Sequence, residues 1–219
     1  MYKDLTERQF PDSGRPVAAS SLGEDNEAMA WRTHLDSLKI CLYGMEVTDR
    51  CMGLMGSDEA FALWSATAGH VRTAERVVYL IGNGASASMA SHFAADLAKN
   101  AFLHTQVFTD ISLLTAVAND LSYAEVFLEP LRRRMKPRDM VVAISSSGNS
   151  PNVLKACEYA GANGAYVVTL SAMRPTNALR RCGALNFWIP ADSYGMAETS
   201  HAAILHYWMD IVSQSAHGA

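Results

Sequence analysis

The sequence predicts a three-layer α/β sandwich around a parallel five-stranded sheet. Short apolar runs alternate along the chain with helical patterns of ten or more residues, which is typical of parallel βαβ units. Some runs, such as residues 141–144, are apolar at every position, so helices should cover both faces of the sheet. Hydrophobic residues make up 49% of the 219 residues and charged residues only 18%, which is enough apolar material for a sizeable core.

The five strands are expected at residues 76–81, 105–108, 139–144, 165–170 and 185–189. Helical patterns are expected at residues 86–100, 111–118, 123–134, 152–162 and 196–213, with a short helix near Asn177. A sheet with helices on both faces is doubly wound in the manner of flavodoxin, and such sheets bind ligands beyond the carboxyl ends of their strands. Chemistry is therefore expected in the loops that follow the strands.

The N-terminal part of the chain precedes the predicted sheet. Residues 1–27 are polar and are interpreted as a tail, which leaves one domain over residues 28–215. Two helical patterns come before the first strand, and the second covers residues 57–73 with Ser57 as its N-cap. The apolar positions of the first pattern are Trp31, Leu35, Leu38, Leu42 and Met45. Because a five-stranded sheet does not need these helices, we expect them to pack outside the sheet or against another subunit.

Composition argues against several classes of function. The net charge of -4 is opposite to that of a nucleic-acid-binding surface, and the short basic run at residues 132–134 is interpreted as a solvated helix face. The four cysteines form no Cys-x-x-Cys pair and are expected to be reduced thiols. The first residues lack the apolar segment of a secretory signal, and no apolar run reaches the ~18 residues that span a bilayer. We expect a cytoplasmic protein with neither a membrane nor a nucleic acid as partner.

Two loops rich in small polar residues follow two of the predicted strands. Their sequences are GNGASAS at residues 82–88 and SSSGNS at residues 145–150. Small residues let the backbone approach a ligand closely, and backbone amides at the start of the following helix attract an anion. Neither loop contains lysine, so neither is a nucleotide-binding P-loop. Two such loops at equivalent positions predict a site for a sugar monophosphate.

These loops lie in segments that resemble a known family. Residues 78–97 and 140–155 are similar to the sugar isomerase (SIS) domain. Within them, GNGASASMASHFAADL and AISSSGNSPNVLKA resemble phosphoheptose isomerases, which interconvert sedoheptulose 7-phosphate and D-glycero-D-manno-heptose 7-phosphate through an enediol. The stretch TDISLLTAVANDLSYAEVF resembles the segment between those motifs, and the whole resemblance covers roughly residues 30–213. It implies an aldose–ketose isomerase that forms a homotetramer with active sites at subunit interfaces.

The resemblance also implies which residues bind the sugar phosphate. The phosphate would be held by the hydroxyl groups of Ser145, Ser146, Ser147 and Ser150. The sugar would be bound by Asn83, Ser86 and Asp120, with Glu198 of the last helix as a further contact.

A second group of candidates carries imidazole and carboxylate side chains, which are suitable zinc ligands. His92 and Asp96 lie four residues apart and share a helix face. Phosphoheptose isomerases carry His-x-x-x-Glu on this helix and Gln-x-x-His-x-x-x-x-His on the last one. The matching residues here are His92, Asp96, Glu198, His201 and His206. This chain therefore departs from the family pattern in Asp96, which is one methylene shorter than glutamate, and in Glu198, which is charged where the family has glutamine.

The resemblance implies zinc, or another divalent metal, bound by His92, Asp96, Glu198 and His206. It further implies that Asp96 and His206 are the acid–base pair of the isomerisation. An alternative alignment places His201 at the glutamine position and Met209 at the final histidine, but the first alignment matches both histidines. Glu198 and His206 are eight residues apart, about 12 Å along a straight helix, so one ion can reach both only across subunits or if the helix begins after Glu198.

Two other functions stay open at this point. SIS-like proteins include non-catalytic phosphosugar-binding regulators and a partner of the bacterial replication initiator, which would lack an acid–base pair. A different SIS isomerase, acting on another sugar phosphate, would fit the changed residues at Asp96 and Glu198.

Overall fold

The computed structural model describes residues 30–217 of the chain. The chain divides into two units, residues 1–36 and residues 37–219, and the second contains the whole sheet. The predicted tail at residues 1–27 lies outside the described residues. The helices are α1 (Trp31–Tyr43), α2 (Ser57–Thr73), α3 (Ala85–Ala101), α4 (Ile111–Asp120), α5 (Leu128–Arg134), α6 (Pro151–Ala162) and α7 (Tyr194–His217). The strands are β1 (Glu46–Asp49), β2 (Leu54–Met55), β3 (Val77–Gly82), β4 (His104–Val107), β5 (Met140–Ser145), β6 (Tyr166–Ala172) and β7 (Leu185–Ile189).

The predicted parallel sheet is confirmed. The strand order is β2-β1-β7-β6-β5-β3-β4, and the five strands from β7 to β4 are all parallel. Counted along the chain, these five strands have the order 2-1-3-4-5, which is the flavodoxin-like arrangement. The order reverses between β3 and β5, and the two polar loops follow these two strands.

Helices cover both faces of the sheet, as the continuous apolar runs predict. Along β5, Met140, Val142 and Ile144 belong to the core under α2, α3 and α7. Val141 and Ala143 belong to the core under α4, α5 and α6. The sheet is therefore the middle of three layers.

The expectation that the sheet does not need the two leading helices is wrong for α2. Its side chains Phe61 and Trp64 are buried, and Trp64 stacks on Trp208 of α7 with ring centroids 4.0 Å apart. Phe61 and Trp64 also contact Phe187 of β7. The helix therefore covers the β7 side of the sheet and is part of the three-layer core. Its N-cap is Gly56 and not Ser57.

The sheet has two strands that the sequence patterns did not predict. β1 and β2 form an antiparallel hairpin, and β1 pairs antiparallel with β7, with Val47 opposite Phe187. The hairpin begins where α1 ends at Tyr43, two residues before the predicted helical position Met45. Gly44 makes this turn possible, because a Cβ there would lie 2.8 Å from Cγ of Pro190.

Three further expectations can be compared with the structure. The predicted helix at residues 123–134 is divided into a 3₁₀ helix at Tyr123–Glu125 and α5, and the short helix near Asn177 is a 3₁₀ helix at Ala178–Arg181. All four cysteines are free thiols. Among residues 30–217, no helix has the length and apolar character needed to cross a membrane.

Candidate functional site

A cavity of about 180 Å³ opens at the carboxyl ends of β3 and β5, where the strand order reverses. It is lined by both polar loops and by the first turns of α7, and we call it the serine cavity. Its lining residues are Asn83, Ser86, Ile144, Ser145, Ser146, Ser147, Ser150, Tyr194 and Glu198. Seven residues predicted to bind substrate therefore lie around one space. Tyr194 lines it too, although the sequence patterns did not single it out.

Residues 145–150, which we call the serine loop, form a tight turn between β5 and α6. The backbone N–H of Gly148 donates to the Ser145 carbonyl at 2.9 Å, and the hydroxyl groups of Ser145 and Ser150 lie 3.2 Å apart. Ser150 is the N-cap of α6, but its side chain does not cap the helix. The cavity therefore contains several hydroxyl groups beside the positive end of a helix dipole, an arrangement that favours an anion.

Asn177 supports the serine loop from the segment after β6. Its amide group donates to the hydroxyl of Ser171 and to the carbonyls of Ala172 and Arg174, at 2.9 to 3.2 Å. The side chain lies directly against Gly148, whose φ of +63° favours glycine. Two further hydrogen bonds join the segments, from Leu179 N–H to the Gly148 carbonyl and from Ala178 N–H to Asn149 Oδ1. The loop is thus fixed before any ligand arrives.

The other loop is held through the amide group of Asn83. Asn83 and Asn152 exchange two side-chain hydrogen bonds of 3.0 and 2.9 Å, and the Tyr123 hydroxyl donates to Asn83 Oδ1 at 3.0 Å. Asn152 belongs to α6, so this pair connects the two loops directly. Sequence reasoning missed Asn152 and Tyr123 as positioning groups, although Asn152 lies in a segment that resembles the SIS domain and Tyr123 lies in the stretch between the two segments.

Asp120 is not part of the serine cavity. It is the last residue of α4, it is exposed, and its Oδ1 accepts a hydrogen bond from the Asn119 amide at 2.9 Å. Its assignment as a sugar ligand stays a prediction.

The predicted acid–base residues lie together on α3 and α7. His92 Nε2 is 3.4 Å from Asp96 Oδ2, and the rings of His92 and His206 meet edge to face with centroids 5.7 Å apart. The ring of buried Phe93 packs against the ring of His206, with centroids 4.7 Å apart, and lies beneath this group. The side chains of His92 and His206 are exposed, so the group is open to solvent or to a partner.

Glu198 is separate from that group because it lines the serine cavity, about 12 Å along α7 from His206. Within residues 30–217, no three His, Cys, Asp or Glu side chains are placed to bind one metal ion. The predicted set of His92, Asp96, Glu198 and His206 is therefore not assembled within one chain.

His201, the residue that the alternative alignment favours, lies inside the protein. It is 0% exposed, and burial lowers its pKa to about 4. The nearby backbone of Ser171 raises this pKa to a smaller extent, although it forms no hydrogen bond of standard geometry with the imidazole. A side chain without exposed surface is poorly placed to bind a ligand from solvent.

Comparison with known proteins places the chain among sugar isomerases. The model of the SIS domain matches residues 59–172. A phosphoheptose isomerase of Syntrophotalea carbinolica is 33% identical over 143 residues, which are 63% of this chain and 72% of that protein. The solved structure of phosphoheptose isomerase from Neisseria gonorrhoeae is 26% identical with a TM-score of 0.65, covering 70% of this chain and 86% of that one. The enzyme from Francisella tularensis, at 23% identity, shares the fold with a TM-score of 0.71 over 84% and 96% of the two chains.

Replacing Gly148 by alanine should destabilise the protein. The new Cβ would collide with Asn177, and the backbone there has a positive φ. We expect a loss of about 1–3 kcal/mol in the free energy of unfolding, measured by chemical denaturation at fixed protein concentration. Gly69→Ala is the matched control, because Gly69 lies within α2 with open space around its Cβ position. This control should gain about 0.5–1 kcal/mol, and equal effects of the two changes would contradict the assignment.

His201 should make stability depend on pH between about 6.5 and 4. The unfolded chain binds a proton to this imidazole below its ordinary pKa of 6.5, whereas the folded chain does so only near pH 4. Stability is therefore unaffected above pH 6.5 and falls as the pH decreases through this range. Between pH 7.5 and 5, the unmodified protein should lose about 2 kcal/mol more than the variant His201→Leu. Parallel stability curves for the two proteins would show that His201 is not the responsible group.

Proposed function

This chain belongs to the SIS domain family, and we propose that it is a cytoplasmic aldose–ketose isomerase of sugar phosphates that interconverts sedoheptulose 7-phosphate and D-glycero-D-manno-heptose 7-phosphate. The main support is the serine cavity, which unites two neutral, hydroxyl-rich loops at the reversal point of the sheet. Relatives with at least 33% identity that carry the name phosphoheptose isomerase support the reaction class.

The phosphate is held by the serine loop in this proposal. Ser145, Ser146, Ser147 and Ser150 supply hydroxyl donors, and α6 supplies the partial positive charge of its N-terminus. Glu198 also faces the cavity, and its carboxylate would repel the phosphate at close range. We therefore assign Glu198 to the sugar, where a carboxylate accepts hydrogen bonds from hydroxyl groups. Asn83, Ser86 and Asp120 are proposed as further sugar ligands.

Proton transfer is assigned to Asp96 and His206. Isomerisation through an enediol moves one proton between neighbouring carbons, and a second group exchanges protons with the two oxygens. Asp96 is proposed as the base at carbon, and His206 as the acid and base at the oxygens. His92, 3.4 Å from Asp96, orients its carboxylate.

Within one chain, the serine cavity is separated from the proposed acid–base residues Asp96 and His206. Asp96 lies ten residues beyond Ser86 on α3, about 15 Å along the helix, and His206 is about 12 Å beyond Glu198 on α7. Neither Asp96 nor His206 lines the serine cavity. We therefore propose that the acid–base pair of one protomer acts on substrate held by the serine cavity of another, in a homotetramer.

Zinc, which the family resemblance implies, does not fit the four candidate donors within one chain. His92, Asp96 and His206 lie in one group and Glu198 in another. A zinc ion would need donors from two protomers to use this full set. The proton transfers proposed above are assigned to protein side chains and involve no metal.

Activity should depend on Asp96 and His206 far more than binding does. Asp96→Asn and His206→Asn should each lower turnover by about two to four orders of magnitude, because each removes a proton-transfer group. The affinity for sugar phosphate should persist through the serine cavity. Turnover is measured with a coupled assay over sugar phosphates of five to seven carbons, and affinity by calorimetry. His217→Asn, an exposed histidine at the end of α7, is the control and should retain full activity.

Three results would change this proposal. If both variants kept normal turnover, the acid–base assignment would be wrong. If the unmodified protein bound sugar phosphates without converting any, a regulatory role would replace catalysis. If it preferred a pentose or hexose phosphate, the reaction class would stand and the heptose assignment would fall.

Mixing two variants of low activity tests the shared site directly. Ser147→Ala weakens the serine cavity, and His206→Asn removes a proton-transfer group. In randomly mixed tetramers, about one site in four would combine an intact cavity with an intact acid–base pair from two different chains. Activity should therefore rise to about a quarter of the normal value after the chains are dissociated and reassociated together. No recovery in tetramers shown to be mixed would mean that each site is built within one chain.

A further inference from the structure

A second cavity lies at the amino ends of the strands, whereas the serine cavity lies at their carboxyl ends. Its volume is about 370 Å³, and we call it the amino-end cavity. It is formed by the last turns of α2, the end of α6, the start of β6, and the turns that follow β1 and precede β5. None of its lining residues has a role in the proposed isomerase.

Two exposed arginines give this cavity a positive charge, and one of them, Arg50, also lines a neighbouring cavity that contains Glu158. Arg50 and Arg138 line it, together with His70, and no Asp or Glu does so in the described part of the chain. Neither arginine forms an ion pair with a carboxylate within residues 30–217. Other arginines of this chain do form such pairs, for example Arg180 with Glu46 at 2.8 Å. The charge at the amino-end cavity is therefore available to a ligand.

The turn that carries Arg50 is held by its own hydrogen bonds. Asp49 Oδ1 accepts from the backbone N–H groups of Cys51 and Gly53, both at 2.8 Å. The guanidinium lies close to Gly161, where a Cβ would be 3.3 Å from Arg50 Nη2. Glycine at this position leaves room for the arginine side chain.

The turn that carries Arg138 is equally fixed. Arg138 has a φ of +72°, and its N–H donates to the Gly164 carbonyl at 2.8 Å. The buried carboxylate of Asp139 accepts hydrogen bonds from Val77 N–H at 3.0 Å and Lys136 N–H at 2.6 Å. A backbone conformation that costs energy persists only where the surroundings hold it. The backbones of both arginines are thus positioned in advance.

The floor between the arginines is apolar. Val71 and Ala165 are buried, and the ring of Tyr166 forms part of the wall. Cavities of this size with an apolar floor and few polar groups are typical of small-molecule sites. Guanidinium groups bind phosphate and carboxylate groups through paired hydrogen bonds.

We propose that the amino-end cavity binds a small organic anion. Its apolar or aromatic body would rest on Val71, Ala165 and Tyr166, and its phosphate or carboxylate group would be held by Arg50 and Arg138. The amino-end cavity lies at the amino ends of the strands and the serine cavity at their carboxyl ends, so both cavities can be occupied at once. Binding here does not require isomerase activity, so it can be tested separately.

Phenyl phosphate is a suitable probe because it joins an aromatic ring to a phosphate group. Hydrogen exchange followed by mass spectrometry should show that it protects peptides covering residues 66–75 and 160–167 in the unmodified protein. Calorimetry in a Ser147→Ala background reduces competition from the serine cavity. There, Arg50→Gln and Arg138→Gln should each weaken binding by about ten-fold or more, because each loses charged hydrogen bonds.

Arg133→Gln is the matched control, since it removes the same charge from an exposed arginine outside this cavity. It should leave the affinity for phenyl phosphate unchanged. Benzoate replaces the phosphate by a carboxylate, and the tighter of the two probes identifies the preferred anionic group. The proposal is overturned if phenyl phosphate protects only peptides around residues 145–155, if neutral benzyl alcohol binds equally well, or if both arginine variants retain the full affinity.

Discussion

The parallel pairing of β3 with β5 brings the two polar loops of the serine cavity together. The pairs extend from Val78 opposite Met140 to Gly82 opposite Ile144, so both strands end at the same level. The helices that follow, α3 and α6, pack on opposite faces of the sheet, which leaves the space between the loops uncovered. A Cβ on Gly82 would lie 2.9 Å from the Ile144 carbonyl, so this close pairing requires glycine. The cavity therefore depends on a backbone contact before any side chain is considered.

Most side chains that line the serine cavity are neutral, and this affects which ligands it can bind. Ser145 and Ser146 are buried, and among the residues that the structure describes no lysine or arginine lines the cavity. A phosphate held by hydroxyl groups and amides has no cation to neutralise it, so affinity must come from well-placed donors. The bracing of the serine loop by Asn177 and the pairing of Asn83 with Asn152 supply that placement. Rigid donors cost less ordering entropy on binding than mobile ones do.

The parts of the structure that could be predicted from sequence are those with a local signal. The strands β3 and β5 consist largely of apolar residues, and the two loops are marked by runs of Ser, Gly and Asn. The hairpin of β1 and β2 has no such signal, because its strands are four and two residues long and depend on pairing with β7. The role of Trp64 in α2 depends on Trp208, far along the chain. The amino-end cavity is likewise formed by segments distant in sequence.

The distance between the serine cavity and the proposed acid–base pair favours assembly of two chains over motion within one chain. α3 and α7 bury Phe93, Leu97 and Trp208 in the core, so neither helix can shift by about 12 Å without unpacking it. Ile40 and Tyr43 of α1 are large apolar side chains that are 70% and 82% exposed, and a partner that bound there would bury this apolar surface. The proposed second copy of the chain would account for both, because it would cover this apolar surface and bring the proposed acid–base pair to the cavity. Self-association would then be part of the catalytic site and not only of its stability.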